Sequence, residues 1–496
     1  MARTRHNARE FVAMVTDEDS FEQWPSSPHR TTDPDYAIDL QKAREATGLD
    51  EAVLTGRASL DGHPVAMVVG EFGFLGGSIG HTTSDQILRA ITRATEERLP
   101  LLMAPCSGGT RMQEGTTAFV QMIKIAQAAQ AHRRAGLPYL VYLRHPTTGG
   151  VFASWGSLGQ ITLAEPEALI GFLGPRAQEA ISGSRIEEGV QRSENLHRLG
   201  IVDEVVPVEE VRSVGARVLK ALGAPSVGPG TVPRDRSQLA AAADPWEAVM
   251  ATRHESRPGL AEIVHWQAKD IVWLSGTGDG QVDPVMRVGI ARLDGIPVVL
   301  VGQNRSLPVG EQSLGPAGLR LAQRGYRLAQ ELGLPVVNLI DTPGGALTKE
   351  AEESALAGEI ARTLGLLADL TVPTVSVLLG RGGGGVALAM LPSDRTLGAQ
   401  NGWLAPLPPE GASAIVHRSA ERAAEMARLH RLGVNDLHAE GVVHEVVQEP
   451  DDPAADGGKA FAEAIVSAVA HHLRELAEMP TPERLVLRRE RFTLLG

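Results

Sequence analysis

Four glycine clusters carry the chemistry that this sequence offers. Gly108-Gly109 and Gly149-Gly150 lie in its first half, and Gly344-Gly345 and the run Gly382 to Gly385, followed by Val386, lie in its second. Each is tied to an apolar, strand-like segment: "LPLLMAP" runs into "SGGTRMQEG", "GLPYLVYL" into "HPTTGGVFAS", and "LPVVNLIDTPGG" and "VPTVSVLLGRGGGGVALAM" repeat that order far downstream. A glycine pair where a strand meets a helix leaves backbone N–H groups uncovered, and those donors, with the helix dipole, favour a negative oxygen. That is the specification of an oxyanion hole. One pair alone would be read as a tight turn. Four at matched offsets point to function: Gly109 to Gly150 (150 − 109) is 41 residues, and Gly345 to Gly385 (385 − 345) is 40. Each half then closes on a short apolar ending, "LGIVDEVV" and "EGVVHEVV". Two copies of one glycine-exposing α/β unit predict a site built between paired lobes.

The elements that must hold these turns are βαβ units around a largely buried sheet, because short β-branched strands alternate with helical segments. "PVAMVVGEF" (Pro64 to Phe72) reads as a strand; "TSDQILRAITRATEERL" (Thr83 to Leu99) follows as a helix with Ile87, Ala90, Ile91 and Ala94 at helical spacing. At 496 residues the chain exceeds the ~250–300 at which one core stops growing. The composition predicts an N-terminal lobe over 1–225, a linker over 226–245 within the proline- and glycine-rich stretch Gly223 to Pro245, and a C-terminal lobe over 246–496. Residues 1 to about 50 are weakly helical and polar, and read as a cap or a partner-binding extension.

Other chemistries find little support. There is no P-loop ending in Gly-Lys-Ser/Thr and no HExxH. The 15 histidines lack metal-ligand spacing. Cys106, the single cysteine, excludes an internal disulfide and a four-cysteine zinc ribbon; without a placed histidine it reads as a small buried residue. Asp341 is either a catalytic carboxylate or the cap of the turn that follows its strand, the commoner role. The net charge of −13 argues against a dedicated nucleic-acid or anionic-membrane binder, and no stretch of ~18 apolar residues suits a membrane helix, so a cytoplasmic address is the expectation.

At these motifs the sequence resembles a known family. "TGRASLDGHPVAMVVGEFGFLGGSIG", "SGGTRMQEG", "HPTTGGVFAS" and "AEPEALIGFLGPR" are similar to the β carboxyltransferase subunit of bacterial acetyl-CoA carboxylase. "PAGLRLAQRGYRLAQELGLPVVNLIDTPGG", "GRGGGGVALAM" and "PPEGASAI" are similar to the α subunit. The likeness runs from about Phe21 to Val447 and is to a fused β–α carboxyltransferase of actinobacterial type.

The resemblance implies an α/β fold of two crotonase-like (ClpP/crotonase) lobes related by internal duplication, the N-terminal one on the acyl-CoA side and the C-terminal one on the biotin side. It implies transfer of a carboxyl group from N-carboxybiotin, held on a separate carrier protein, to acetyl-CoA, giving malonyl-CoA for fatty-acid or polyketide synthesis. Such a reaction develops negative charge on a thioester enolate and on a ureido oxygen, so two holes are needed. By analogy Gly149 and Gly150 hold the enolate, and Gly385 with the N–H of Val386 the ureido oxygen. Gly108 and Gly109 match the family's "SGG" turn and shape the acyl-CoA pocket; Gly344 and Gly345 belong to the corresponding turn of the second lobe. Arg111 either contacts phosphate or pairs with Glu114. Glu410 and Gly411 match a "PEG" segment near the biotin pocket. Biotin carboxylase and the carrier are expected as separate chains, since no "AMKM"-type segment is present, and a homo-oligomer is expected.

Three departures stand out. The family's N-terminal zinc ribbon is missing, so no metal is expected; the stretch after "DTPG" lacks the usual "AYPG"; and Arg381 stands where the family usually has Glu, with Val386 in place of a glycine. Two other readings stay open: a biotin-independent malonyl-thioester decarboxylase using the same enolate hole, and a non-catalytic scaffold of a carboxylase complex.

Overall fold

The computed structural model describes residues 5–223, 244–308 and 310–493, which divide into two compact units. One comprises the chain up to Lys220 together with Gly278–Gln281, the other Ala221–Thr277 and the chain from Val282 onward. Of the expected linker over 226–245, only Asp244 and Pro245 lie among the described residues; the Asp244 side chain caps helix Pro245–Arg253 by accepting from Trp246 N at 3.0 Å.

The sheet of the first unit runs in the order Glu22–Gln23, Val53–Leu60, His63–Gly70, Leu101–Ala104, Tyr139–Leu143, Ile161–Ala164, Glu204–Val205. Its first two pairings are antiparallel and the rest parallel. The second unit repeats this strand for strand: Ala268–Leu274, Met286–Leu293, Ile296–Gln303, Val336–Thr342, Thr374–Gly382, Arg395–Ala399 and Glu445–Val447, two antiparallel pairings followed by four parallel ones. The central parallel strands are buried along their whole length, which is why they read as unbroken apolar runs rather than alternating ones.

The helix read from "TSDQILRAITRATEERL" is present as His81–Glu96, with Ile87, Ala90, Ile91 and Ala94 all buried against the first sheet. Its counterpart is helix Pro316–Leu332, which starts at a proline in its first turn and stops at Gly333 in the left-handed region. The N-terminal extension packs onto the first unit as helices Ala8–Val15 and Pro34–Thr47. Phe11 stacks on Tyr142 at 5.6 Å between ring centroids, with the Arg144 guanidinium over its ring at 4.6 Å. Among the described residues no helix is long and apolar enough to cross a membrane.

Candidate functional site

In the first unit, strand Leu101–Ala104 gives way to a turn through Ser107, Gly108 and Gly109 that leads by Met112–Glu114 into helix Gly115–Arg134. Backbone hydrogen bonds stitch this turn to the one after Tyr139–Leu143: Ser107 N donates to Pro146 O at 2.7 Å and Thr148 N to Ser107 O at 2.9 Å. Gly109 N is held by the Ser107 hydroxyl at 3.0 Å, and Ile79 bridges its far side, with Ile79 N to Gly109 O at 2.9 Å and Arg111 N to Ile79 O at 3.0 Å. Gly149 sits at φ +66°, and a Cβ there would stand 3.2 Å from the Gly109 Cα. The two loops approach this closely because both positions are glycine.

The second unit reproduces these bonds. Gly383 N donates to Thr342 O at 3.0 Å, Gly344 N to the Thr342 hydroxyl at 3.2 Å, Leu314 N to Gly344 O at 3.0 Å and Ala346 N to Leu314 O at 3.0 Å. Gly384, at φ +67°, is therefore the counterpart of Gly149, and Gly344 that of Gly109. The expectation that Gly345 matches Gly109 is off by one residue, because the sequence offers adjacent glycines and only the hydrogen-bond register chooses between them. With the register corrected, Gly109 to Gly149 (149 − 109) and Gly344 to Gly384 (384 − 344) are both 40 residues.

Immediately after each counterpart glycine comes a pair of uncovered donors. Among the described residues no protein acceptor takes the N–H of Gly150 or Val151 in the first unit, or of Gly385 or Val386 in the second. Val151 escapes a motif-based reading because its side chain carries no signal; its N–H is found only through its equivalence to Val386. Gly345 belongs to this second cluster too: a Cβ placed on it would stand 3.3 Å from Val386 Cγ1. A Cβ placed on Gly385 would stand 3.2 Å from the Ile360 side chain. The second pair thus leaves two backbone donors side by side without a protein acceptor among the described residues.

The flanking charged residues are structural. Arg111 has no exposed surface. Its guanidinium donates to Glu51 at 2.9 Å, Ser78 O at 2.7 Å and the Tyr36 hydroxyl at 3.2 Å, with Glu114 at 3.5 Å. Of the two readings open for Arg111, the pairing with Glu114 is the one observed, and the buried guanidinium, engaged with these partners, does not face a phosphate. Asp341 is neither catalytic base nor turn cap. It is buried between Arg305 at 2.6 Å and Arg381 at 2.8 Å, and although burial by itself would raise its carboxyl, the two guanidinium groups hold it below the ordinary range. Glu410 forms a two-pronged pair with Arg253 at 2.7 and 2.9 Å, which holds its carboxyl low. Glu410 and Gly411 lie in the first turn of helix Pro409–His417, and among the described residues no hydrogen bond joins them to the Gly382–Gly385 run, which is paired with the loop before that helix through Ala405 N to Gly382 O at 3.0 Å and Gly384 N to Ala405 O at 2.9 Å. Cys106 is buried, its thiol donating to His145 O at 3.1 Å, and burial pushes the thiol up to about 11, so no thiolate forms near neutral pH.

An expectation that the chain has no G-x-S-x-G nucleophile elbow is corrected by the letters themselves, since Gly76 to Gly80 has that spacing, but the structure gives its serine another task. Ser78 donates to Leu75 O at 2.8 Å and accepts from Arg111 Nε at 3.2 Å, so its hydroxyl is part of the loop framework. Among the described residues no group of three or more His, Cys, Asp or Glu side chains could hold a metal ion.

Two duplicated α/β units, each ending parallel strands on glycine turns with uncovered amide pairs, make up a crotonase-like fold. The structure superposes on transcarboxylase 12S, solved as a hexamer with methylmalonyl-coenzyme A bound, with a TM-score of 0.75 at 21% identity over 96% of this chain and 91% of that one. A single-chain, multi-domain long-chain acyl-CoA carboxylase gives 0.71 at 19% identity, over 92% of this chain and 45% of that one. Residues 231–496 match the family model described as acetyl co-enzyme A carboxylase carboxyltransferase-like. Over 97% of both chains the sequence is 50% identical to a Mycobacterium tuberculosis protein named "Probable biotin-dependent acyl-coenzyme A carboxylase beta3 subunit". It is 38% identical, over 100% of this chain and 91% of the relative, to the acetyl-coenzyme A carboxylase carboxyl transferase subunits beta/alpha of Salinispora arenicola. The chain belongs to the fused β–α carboxyltransferases of biotin-dependent acyl-CoA carboxylases.

Proposed function

We propose that the protein moves a carboxyl group from carboxybiotin on a separate carrier protein to acetyl-CoA, yielding malonyl-CoA for fatty-acid or polyketide synthesis. The observation that carries this reading is the duplicated pair of uncovered amides, Gly150–Val151 and Gly385–Val386, each fixed by the same hydrogen-bond framework. In the first unit the Gly149–Gly150 turn, continued by Val151, directs its N–H groups at the thioester oxygen, where charge appears as the α-carbon loses its proton. Donors already aligned for that charge stabilise it without reorganising, which is the usual source of large rate enhancement. Gly108 and Gly109 shape the floor of the turn. In the second unit Gly385 and Val386 receive the ureido oxygen, with Gly344 and Gly345 fixing the adjoining turn and Glu410–Gly411 heading a helix beyond it. Carboxybiotin, when bound, supplies the carboxyl group and a nitrogen able to take the α-proton. The scarcity of free acids and bases around the turns agrees with this, since Arg111, Asp341 and Glu410 are all committed to ion pairs.

The reading includes a biotin carboxylase and a carrier as partners, a homo-oligomer, and a cytoplasmic address. The exposed Phe119 and Ile123 on helix Gly115–Arg134, 57% and 58% accessible beside the first glycine turn, support a further interface there.

The test is the reverse reaction on the purified chain, malonyl-CoA with and without free biotin, followed as acetyl-CoA formed. Biotin-dependent turnover is the expected result. Turnover indifferent to biotin would mark a malonyl-thioester decarboxylase instead, and a preference for methylmalonyl-CoA would move the substrate to propionyl-CoA.

A further inference from the structure

Helix Pro34–Thr47 lies outside the duplicated units' common plan and has no task in the chemistry above. Its start is fixed by Asp33, whose carboxylate accepts from Asp35 N at 3.0 Å and Tyr36 N at 3.1 Å. Tyr36, Leu40 and Ala43 form one buried stripe that packs with Ala52, Phe74 and Leu75. Phenylalanine at position 36 would serve that packing equally well, yet the residue is tyrosine and its hydroxyl is fully engaged. It donates to Glu114 Oε1 at 2.5 Å and accepts from Arg111 at 3.2 Å.

Both partners belong to the glycine turn. Arg111 follows Gly109 by two residues, and Glu114 ends the Met112–Glu114 turn at the head of helix Gly115–Arg134. Glu114 also accepts from His81 N and His81 Nδ1, each at 2.6 Å, and Arg111 is anchored on Glu51, whose same oxygen accepts from the Thr83 hydroxyl at 2.6 Å. Burial and the hydrogen bond to Glu114 keep the Tyr36 hydroxyl protonated far above its ordinary range, so it remains a donor at any working pH. From this network the path to the amides is continuous. Arg111 N is bonded to Ile79 O, Ile79 N to Gly109 O, and Gly109 is the surface against which Gly149 packs.

We propose that Tyr36 is a positioning residue: helix Pro34–Thr47 straps the turn from Gly108 to Glu114 through the Tyr36 hydroxyl, and thereby holds the Gly149–Gly150 turn and its N–H groups in register. The inference rests on the reading of that turn as the enolate hole. Such an effect is plausible in size, because small displacements of aligned donors cost large factors in rate.

The test uses the full chain with Tyr36→Phe, Glu114→Gln and, as a control on the same helix, Ile38→Ser, whose side chain is exposed. Tyr36→Phe keeps the packing and removes only the hydroxyl. It is expected to lower kcat of the reverse reaction about tenfold with KM for the acyl-CoA within about twofold, the pattern of an interaction realised at the transition state. Amide hydrogen exchange should rise in peptides covering 105–115 and 145–154 and stay unchanged over 380–390. Glu114→Gln should follow Tyr36→Phe, and Ile38→Ser should match the parent in both readouts. Wild-type kcat together with unchanged exchange in Tyr36→Phe would overturn the inference. So would faster exchange spread over the whole first unit, which would make Tyr36 a general stabiliser. If the parent itself proves inactive on every acyl-CoA, the proposed function fails, and the exchange experiment still decides whether the strap exists.

Discussion

Val386 allows the backbone donor to be separated from the side chain that happens to carry it. Its side chain is fully buried, with Cγ1 against Gly345, and among the described residues its N–H has no protein acceptor. Val386→Ala removes two methyl groups and leaves the N–H in place. At ~0.8 kcal/mol per buried carbon, plus a small cavity, the loss is about 1.5–2.5 kcal/mol of stability. Turnover should stay within about twofold of the parent. Val386→Pro removes the N–H itself. The position is the third residue of helix Gly384–Leu388, where an N–H has no partner within the helix, so proline forfeits no internal hydrogen bond. The residue before it is Gly385, whose missing Cβ eases the clash that proline imposes on its predecessor. Loss of one hole donor costs about 10²–10³ in kcat. The assay is acetyl-CoA formation from malonyl-CoA and biotin, with thermal unfolding run on both variants. If Val386→Pro is folded and turns over within threefold of Val386→Ala, the N–H does no catalysis and the second hole is misassigned.

Gly149→Ala should fold with a strain of about 1–2 kcal/mol from its positive φ and push on the Gly109 Cα, lowering kcat at least tenfold; a folded variant with parental kcat would contradict the close approach of the two turns. Asp341→Asn leaves Arg305 and Arg381 buried without their counter-charge and should cost about 3–5 kcal/mol in denaturant unfolding, so a loss under 1 kcal/mol would remove the structural role assigned here. Burial holds His132 down to about 4, with Nδ1 2.9 Å from the Thr95 hydroxyl and Nε2 3.2 Å from Pro138 O. As pH falls below 6.5, the unfolded chain takes up this proton before the folded one does, so stability drops by up to about 3 kcal/mol between pH 6.5 and 4. His132→Gln should flatten that part of the unfolding profile, and an unchanged profile would locate the acid sensitivity elsewhere.

The fold was legible because its signals are local. A buried parallel strand must be apolar along its length, and a strand-to-helix turn with uncovered amides must carry glycine, so "LPLLMAPCSGG" and "LPVVNLIDTPGG" declare the same unit twice without any knowledge of what lies between them. Helix His81–Glu96 was equally plain, since an amphipathic stripe is a property of neighbours three and four residues apart.

What the sequence could not settle are the matters that depend on residues meeting across distance. Which glycine of a run faces its partner is set by inter-strand hydrogen bonds, so Gly344 rather than Gly345 answers to Gly109, and Val151 becomes a donor through its place in the turn and not its side chain. Arg111 follows the family's glycine pair and invites a ligand, but Glu51 and Tyr36, which bury it, lie 60 and 75 residues away. Asp341 is likewise neutralised by Arg305 and Arg381 from separate segments. The sequence by itself determined the duplicated α/β plan and the glycine turns, because backbone conformation and amphipathic spacing are local demands; only the tertiary structure decided which amides stay uncovered and which charges are spent on one another, because burial and counter-charge exist only once the chain is folded.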